Sequence, residues 1–304
     1  MFNSETIVFI GYFILLFFVS LIFFFNGSNK DQEDYFLGGR SMGYWVTAMS
    51  AQASDMSAWL LMGLPGSILA FGFGQIWIGI GLALGTACNW IFCAKRLRLF
   101  SKAAGDSITL PQYLTNRFAS ERKTLQIICA IIFLVAFTVY VASAFVAGTS
   151  VFTLLFPSMS EKLSMIIFAL IIIGYTFLGG FKAVCWTDFF QGILMMIALL
   201  AIPIIVVCTQ NLDTSVLQNV YTYKDAAGDI VTCDFGSGLF SASWKDILSG
   251  LGWGLGYFGM PHILVRFMSI EKPSMVKKAS TVAIVWVVLS IMGACLIAYF
   301  GRMI

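Results

Sequence analysis

Asp55 stands in the run Ser50-Ala51-Gln52-Ala53-Ser54-Asp55-Met56-Ser57-Ala58-Trp59, followed by Leu60-Leu61-Met62-Gly63-Leu64-Pro65-Gly66, inside an otherwise apolar stretch. A carboxylate at mid-bilayer costs about 2.5–3.5 kcal/mol on insertion scales, so it must face protein or a watery cavity. Pro65 has no N–H and its ring opposes the carbonyl of Leu61, so Gly63 and Pro65 predict an interrupted helix with freed carbonyl oxygens. Carbonyls beside an acid are what a hard cation such as Na+ wants. The plainer alternative is a helix-end kink in which Asp55 hydrogen-bonds nearby backbone.

A second run has the same character: Gly250-Leu251-Gly252-Trp253-Gly254-Leu255-Gly256-Tyr257-Phe258-Gly259-Met260-Pro261-His262. Each glycine weakens a helix by about 1 kcal/mol relative to alanine, and Pro261 breaks it. Trp253, Tyr257 and Pro261 follow an i, i+4, i+8 spacing, which predicts one shared helical face. Glycines beside two large rings with polar tips would leave room for a ligand. Close helix packing explains the glycines equally well, but not the aromatic stripe.

The elements that carry these runs must be membrane helices. Of 304 residues, 59% are hydrophobic and only 11% charged, against about 25% charged in soluble domains. A soluble enzyme, a nucleic-acid binder and a disordered chain are therefore excluded, and the net charge of +3 is too small to imply a polyanionic partner. Spans of about 20 apolar residues are read at 5–26, 43–70, 74–94, 124–156, 163–182, 184–208, 246–269 and 280–301. Eight such helices make an all-α integral membrane protein. The first lacks a basic flank and a small-residue cleavage site, so it reads as a retained helix. The 124–156 stretch is long enough that it must tilt or project.

Orientation follows the basic residues. Lys30, Arg40, Lys95, Arg96, Arg98, Lys102, Arg117, Arg122, Lys123, Lys182, Arg266, Lys272, Lys277 and Lys278 fall in one set of connections. Lys162, Lys224, Lys245 and Arg302 fall in the other. The larger set places the 95–123 loop in the cytoplasm and both chain ends outside. Residues 209–245, with Asp213, Asp225, Asp229, Asp234, Gly228, Gly236 and Gly238, then form an outer surface excursion. Six of the seven cysteines (Cys88, Cys93, Cys129, Cys185, Cys208 and Cys295) lie in or beside spans, and only Cys233 lies in the outer loop, so neither a disulfide framework nor a zinc site is supported. Gly81 and Gly85 form a small-xxx-small pair suited to close helix packing.

Two interrupted spans at corresponding positions point to a secondary transporter built from inverted repeats. Five spans run from the second to the sixth, so the seventh begins a unit of opposite topology, with the site between the two broken helices near the midplane.

At these segments the sequence resembles the sodium/solute symporter family, most closely its proline branch. The stretches that carry the resemblance are Asp34-Tyr35-Phe36-Leu37-Gly38-Gly39-Arg40-Ser41, Ala53-Ser54-Asp55-Met56-Ser57 and Leu60-Leu61-Met62-Gly63-Leu64-Pro65-Gly66. They continue with Gly179-Gly180-Phe181 and Trp186-Thr187-Asp188, then Gly252-Trp253-Gly254-Leu255-Gly256-Tyr257-Phe258-Gly259 with Pro261-His262-Ile263-Leu264-Val265-Arg266-Phe267.

The resemblance implies a partial leucine-transporter-type inverted-repeat fold over 1–304. Its expected parts are an extra N-terminal helix and cytoplasmic loop at 1–42, a first repeat at 43–208, the outer loop at 209–245 and the start of a second repeat at 246–304. It implies Na+ as co-transported ion, with no organic cofactor, and inward symport of a small solute of which proline is the first candidate. The carbonyls of Ala53 and Met56 would contribute to the Na+ site, with Asp55 shaping its field. Ser57, Gly63, Trp253, Tyr257 and Pro261 would line the substrate pocket, and Tyr140 would add its hydroxyl from the facing helix. Arg40 and Asp188 would act in coupling or gating.

Plainer readings stand beside these. Arg40 reads equally as a positive-inside anchor, Thr187-Asp188 as a helix cap, Tyr140 as an ordinary membrane tyrosine and His262 as a helix-end histidine. Gln52, Ala58 and Met260 depart from the glycine, glycine and glutamine of the proline branch, which bears on the solute more than on the ion. Family members carry about five further helices, the next of which completes the Na+ site. The chain therefore reads as a truncated product or fragment that does not transport alone.

Inward Na+ at 100 mV contributes about 2.3 kcal/mol and a tenfold Na+ gradient about 1.4, enough for a solute gradient of about 500-fold. The partners implied are a small-molecule substrate and membrane lipid, with no nucleic acid and no obligatory protein partner. The chain would sit in the cell membrane. Rival classes are a transporter-like sensory module and a non-functional remnant. A channel lacks a visible ring of acids, and an enzyme lacks a paired intramembrane acid and base.

Overall fold

The computed structural model describes residues 4–25, 31–218, 220–224, 230–234 and 242–304. The predicted residues Lys30, Asp225, Gly228, Asp229, Gly236 and Gly238 lie outside the described residues. Among those described, helices dominate. The first is α1, Ser4–Phe25, whose 22 residues rise about 33 Å at 1.5 Å each, matching a hydrocarbon core of about 30 Å. A short α2, Gln32–Leu37, is capped by the Asp31 side chain and ends at Gly38, whose left-handed φ of 66° suits glycine. A 3-10 turn, Gly38–Arg40, leads to α3, Tyr44–Ala58, a π-helical turn at Trp59–Gly63, and α4, Leu64–Phe71.

The next stretch contains α5, Ile76–Cys88, a π-helical turn at Asn89–Ala94, and α6, Lys95–Ala103. After α7, Leu110–Arg117, come the 32-residue α8, Thr124–Leu155, and the 49-residue α9, Glu161–Thr209. A hairpin pairs β1, Val220–Lys224, with β2, Ile230–Asp234, antiparallel and with Thr222 opposite Thr232. Both strands are rich in the β-branched and aromatic residues that suit a pleated surface, a feature the sequence reading of the outer excursion missed. The chain continues as α10, Trp244–Gly252, a 3-10 segment Trp253–Gly259, α11, Pro261–Ser269, and α12, Val276–Gly301.

Five described helical stretches are long and apolar enough to cross a membrane: Ser4–Phe25, Phe73–Ala103, Thr124–Leu155, Glu161–Thr209 and Pro273–Gly301. The difference from eight expected spans has two causes. The predicted 163–182 and 184–208 spans share α9, whose 49 residues would rise about 74 Å if straight. Gly180 interrupts it at φ 63°, ψ −167°, a backbone state reserved for glycine. The predicted 43–70 and 246–269 spans are the two interrupted helices, each divided by irregular backbone.

The chain gathers into two compact units, one of Met1–Ser50, Ala94–Phe190 and Leu264–Val276, the other of Ala51–Cys93, Gln191–Ile263 and Lys277–Ile304. In the first unit, Phe9 packs edge-on against Phe152 with ring centroids 5.0 Å apart. Met42, Val46 and Cys185 form a buried core with Phe181 and Phe189 against it. The chain just after α11 is held by Met42, whose N–H donates to Ser269 O and whose carbonyl accepts from Glu271 N–H. Arg98 donates to the carbonyls of Ile270 and Glu271 at 2.5 and 3.0 Å.

In the second unit, α5 packs glycine to glycine on the α10 region. A Cβ on Gly85 would lie 2.5 Å from Gly254 Cα, and one on Gly81 would lie 2.8 Å from Leu251 Cα. The predicted packing role of Gly81 and Gly85 therefore has a defined partner, and Gly250 and Gly254 serve the same contact. Elsewhere in this unit the Trp286 indole donates to Gly192 O at 3.2 Å.

Candidate functional site

The second unit holds the acid singled out from the sequence. Asp55 lies in the last turn of α3 with its side chain 5% exposed, and the Tyr257 hydroxyl donates to its Oδ2. His262 Nε2 stands 4.0 Å from Asp55 Oδ1. Tyr257 is itself fixed from behind, because the Asn89 side-chain amide donates 2.8 Å to its carbonyl. A carboxyl group placed against a phenol and an imidazole faces protein rather than lipid. Among the described residues, no three His, Cys, Asp or Glu side chains gather as a metal cluster. Carboxylate and phenol oxygens are hard donors, which suit an alkali cation better than a soft transition metal.

The interruption in α3 falls earlier than predicted. Pro65 follows the π turn at Trp59–Gly63, and its missing N–H removes the next donor of that helical run. The irregularity begins at Ser57, a non-glycine residue at φ 37°, ψ −150°, and extends through the π turn that ends at Gly63, where Leu64 N–H reaches Trp59 O. A strained backbone of this kind costs about 1–3 kcal/mol and persists only where surroundings enforce it. Ser57 is also the i+4 partner that Ala53 O would have in a regular helix. Ala53 and Met56, both buried, thus lie four residues and one residue before the irregular Ser57.

The second interrupted helix also differs from expectation. Trp253–Gly259 is 3-10 helix, with three residues per turn, so residues four apart diverge by about 120°. Tyr257 is accordingly 1% exposed while Trp253 is 53% exposed, and the predicted common face of Trp253, Tyr257 and Pro261 does not form. Pro261 opens α11 after Met260, which is extended at φ −78°, ψ 106°, as the residue before proline prefers. Trp253 instead faces Trp59, their rings 6.5 Å apart and 23° from parallel. Gln52, one turn before Asp55, is fully buried with neither carboxamide atom hydrogen-bonded.

Tyr140, Arg40 and Asp188 belong to the first unit. Tyr140 lies on α8 with its ring edge-on to Phe137 at 5.9 Å. Asp188 is inside α9, as is Thr187, whose hydroxyl bonds back to Val184 O at 2.9 Å, so the capping alternative fails. Asp188 Oδ2 accepts from Arg266 Nη2 at 2.7 Å and from the Ser50 hydroxyl at 2.7 Å, while Arg266 Nε donates to Ser50 Oγ at 2.6 Å. The Arg266 guanidinium also lies 5.9 Å from the Phe181 ring. Arg40, buried and at φ 47°, has other partners: Asp106 at 3.0 Å, Glu33 at 3.3 Å, Ser101 Oγ, Ser107 O and Met268 O. It is more than a surface anchor, since it ties three chain segments together.

Arg266, Ser50, Asn89 and Trp59 were absent from the predicted site. Arg266 had a signal, being a charge within the apolar 246–269 run. Ser50 and Trp59 stood in the Asp55 run but carried no distinguishing spacing. Asn89 had none beyond being an amide in an apolar span.

A model of the sodium:solute symporter family matches residues 35–304. The sodium/proline symporter of Staphylococcus aureus is 41% identical over 301 residues, covering 98% of this chain and 56% of the relative. The protein of the same description from S. aureus strain NCTC 8325 is 40% identical over 300 residues with the same coverage. The chain thus spans about half the length of these curated relatives. Among solved structures, a Na+-coupled sialic acid symporter in a substrate-bound outward-open state superposes with a TM-score of 0.71 at 19% identity. That match covers 95% of this chain and 59% of the other. It shows the fold, an inverted-repeat transporter architecture shared in part.

Proposed function

The chain belongs to the sodium:solute symporter family, a family of multi-pass membrane transporters rather than enzymes, and from this premise we propose that it serves inward Na+-coupled symport of a small amino acid. Proline is the first solute to test, because the sodium/proline symporters of S. aureus are similar along 98% of the chain. The observation that carries the reading is the buried Asp55 carboxylate held by Tyr257, one group from each interrupted helix. Na+ is cargo here. Asp55 would supply its field, and the carbonyls of Ala53 and Met56, next to the irregular Ser57, would supply oxygen ligands.

Ser57, Gly63, Tyr140, Trp253, Tyr257 and Pro261 would receive the solute. Arg40 and Asp188 would act in coupling, each through the buried partners described above. The first repeat would run over 43–208 and the second begin at 246, with the outer loop at 209–245 between them. The Lys and Arg distribution supports an outside N-terminus in a cell membrane whose lipids bathe the exposed apolar faces of α1 and α8.

The test is a competition screen. The full-length protein in liposomes is given labelled proline with and without an inward Na+ gradient, against unlabelled amino acids, sugars and carboxylates. Na+-stimulated proline uptake that proline displaces best supports the reading. Displacement by a different solute class redirects the substrate, and uptake indifferent to Na+ removes the symport proposal.

A further inference from the structure

We propose that the segment from α6 to the start of α8 carries a docking surface for anionic phospholipid headgroups, an inference that stands apart from the symport reading. α6, Lys95–Ala103, has two contrasting sides. Leu97, Arg98 and Ser101 are buried on one of them. There Arg98 donates to the carbonyls of Ile270 and Glu271, and Ser101 Oγ accepts from Arg40. The other side is exposed along its whole length. On it Lys95, Leu99 and Lys102 follow an i, i+4, i+7 stripe, and Arg96, Phe100 and Ala103 follow a second stripe beside the first. Cations and apolar side chains therefore share one outward face.

The same character continues beyond α6. The Arg117 guanidinium of α7 stands 4.7 Å from the centre of the Phe100 ring, a cation–π distance. Asn116 ties α7 back by donating to Ala104 O at 3.0 Å and to Ser107 Oγ at 2.9 Å. Phe118 is exposed after Arg117, and Arg122 and Lys123 are exposed just before α8 begins at Thr124. Lys95, Arg96, Lys102, Arg117, Arg122 and Lys123 thus all face outward, and none forms an ion pair among the described residues. Of the two acids in this segment, Asp106 is taken by Arg40, which leaves Glu121. The segment adjoins the apolar run 74–94 at one end and the membrane-crossing α8 at the other, which sets it at headgroup level. Phosphate groups complement the cations, and the acyl boundary beneath them complements Leu99, Phe100 and Phe118. A soluble polyanion would satisfy the charges and leave these apolar side chains in water, so the occupant is lipid.

The test uses the full-length protein in detergent micelles, titrated with phosphatidylglycerol or with phosphatidylcholine and read by native mass spectrometry. The unsubstituted protein should hold phosphatidylglycerol at least about tenfold more tightly, since each cation near an anionic surface contributes up to about fivefold. That preference should shrink as salt rises. The triple variant Lys95→Gln/Arg96→Gln/Lys102→Gln should lose most of the preference. Lys272→Gln/Lys277→Gln/Lys278→Gln removes the same charge from another connection and should keep it. Leu99→Ser/Phe118→Ser should weaken the binding of both lipids alike, because the apolar contact does not read the headgroup. Should the first triple variant fail to fold, Lys95→Arg/Lys102→Arg, which keeps the charge and should keep the preference, and the salt dependence of the unsubstituted protein carry the test. Equal affinity for the two lipids, a preference indifferent to salt, or an equal loss in the two triple variants would overturn the inference.

Discussion

Arg266 and Asp188, 78 residues apart in sequence, meet at 2.7 Å with both side chains largely buried, and the Ser50 hydroxyl bridges them. Two charges taken from water are stable only when their geometry is good and their remaining hydrogen bonds are met. Here one serine serves both, accepting from the guanidinium and donating to the carboxylate. This makes Arg266 the residue through which Asp188 is positioned.

Removing one member leaves the other buried and uncompensated. Asp188→Asn or Arg266→Gln should each destabilise the folded protein by about 3–5 kcal/mol. The apolar pair Asp188→Leu/Arg266→Met should be much closer to wild type. Thermal unfolding of the purified variants in lipid discs decides this; a double variant as unstable as either single one would contradict it.

Ser57 carries the backbone strain at the interruption in α3. Glycine adopts φ 37° without a Cβ penalty. Ser57→Gly should therefore leave stability unchanged or raise it by about 1 kcal/mol, while Ser57→Ala keeps the strain. If the alanine variant proves the more stable, the backbone assignment at this residue is wrong.

Gly85→Ala should be costly, because the added methyl would lie 2.7 Å from the Gly254 carbonyl carbon, and backbone cannot step aside as a flexible side chain does. Overpacking of this kind costs about 1–3 kcal/mol. Gly252→Ala, whose Cβ would meet nothing within 4 Å, should be neutral. Expression and unfolding temperature of the two variants give the comparison, and equal losses would argue against the glycine-on-glycine contact.

Tyr257→Phe deletes the donor to Asp55 while leaving the ring. A hydrogen bond to a charged group contributes about 1.5–3 kcal/mol, so solute affinity should fall by about tenfold or more with Na+ still required. Uptake kinetics across Na+ concentrations measure both quantities. Wild-type solute affinity in this variant would place Tyr257 outside the site.

Much of the architecture was legible before the structure. Long apolar runs located the spans, and the intrusions of Asp55 and of the glycine-aromatic run located both interrupted helices. What was not legible was how the backbone breaks. Pro65 pointed to the break, yet the backbone already departs from the helix at Ser57, eight residues earlier, and a π turn leads into the proline. The stripe of Trp253 and Tyr257 assumed 3.6 residues per turn, and the 3-10 geometry of Trp253–Gly259 rotates them apart. Arg266 was counted as a loop charge because positive-inside bookkeeping ignores whether a charge is buried. Only its distance to Asp188 reveals the pair.

The central claim is that Asp55 is the acid on which Na+ acts. The measurement is Na+-dependent uptake of labelled solute by the full-length protein carrying Asp55→Asn, a change that preserves shape and removes the charge. Loss of Na+ stimulation, or a rise of at least about a hundredfold in half-saturating Na+, is the predicted result in protein that still reaches the membrane. Unchanged half-saturating Na+ and rate would contradict the account.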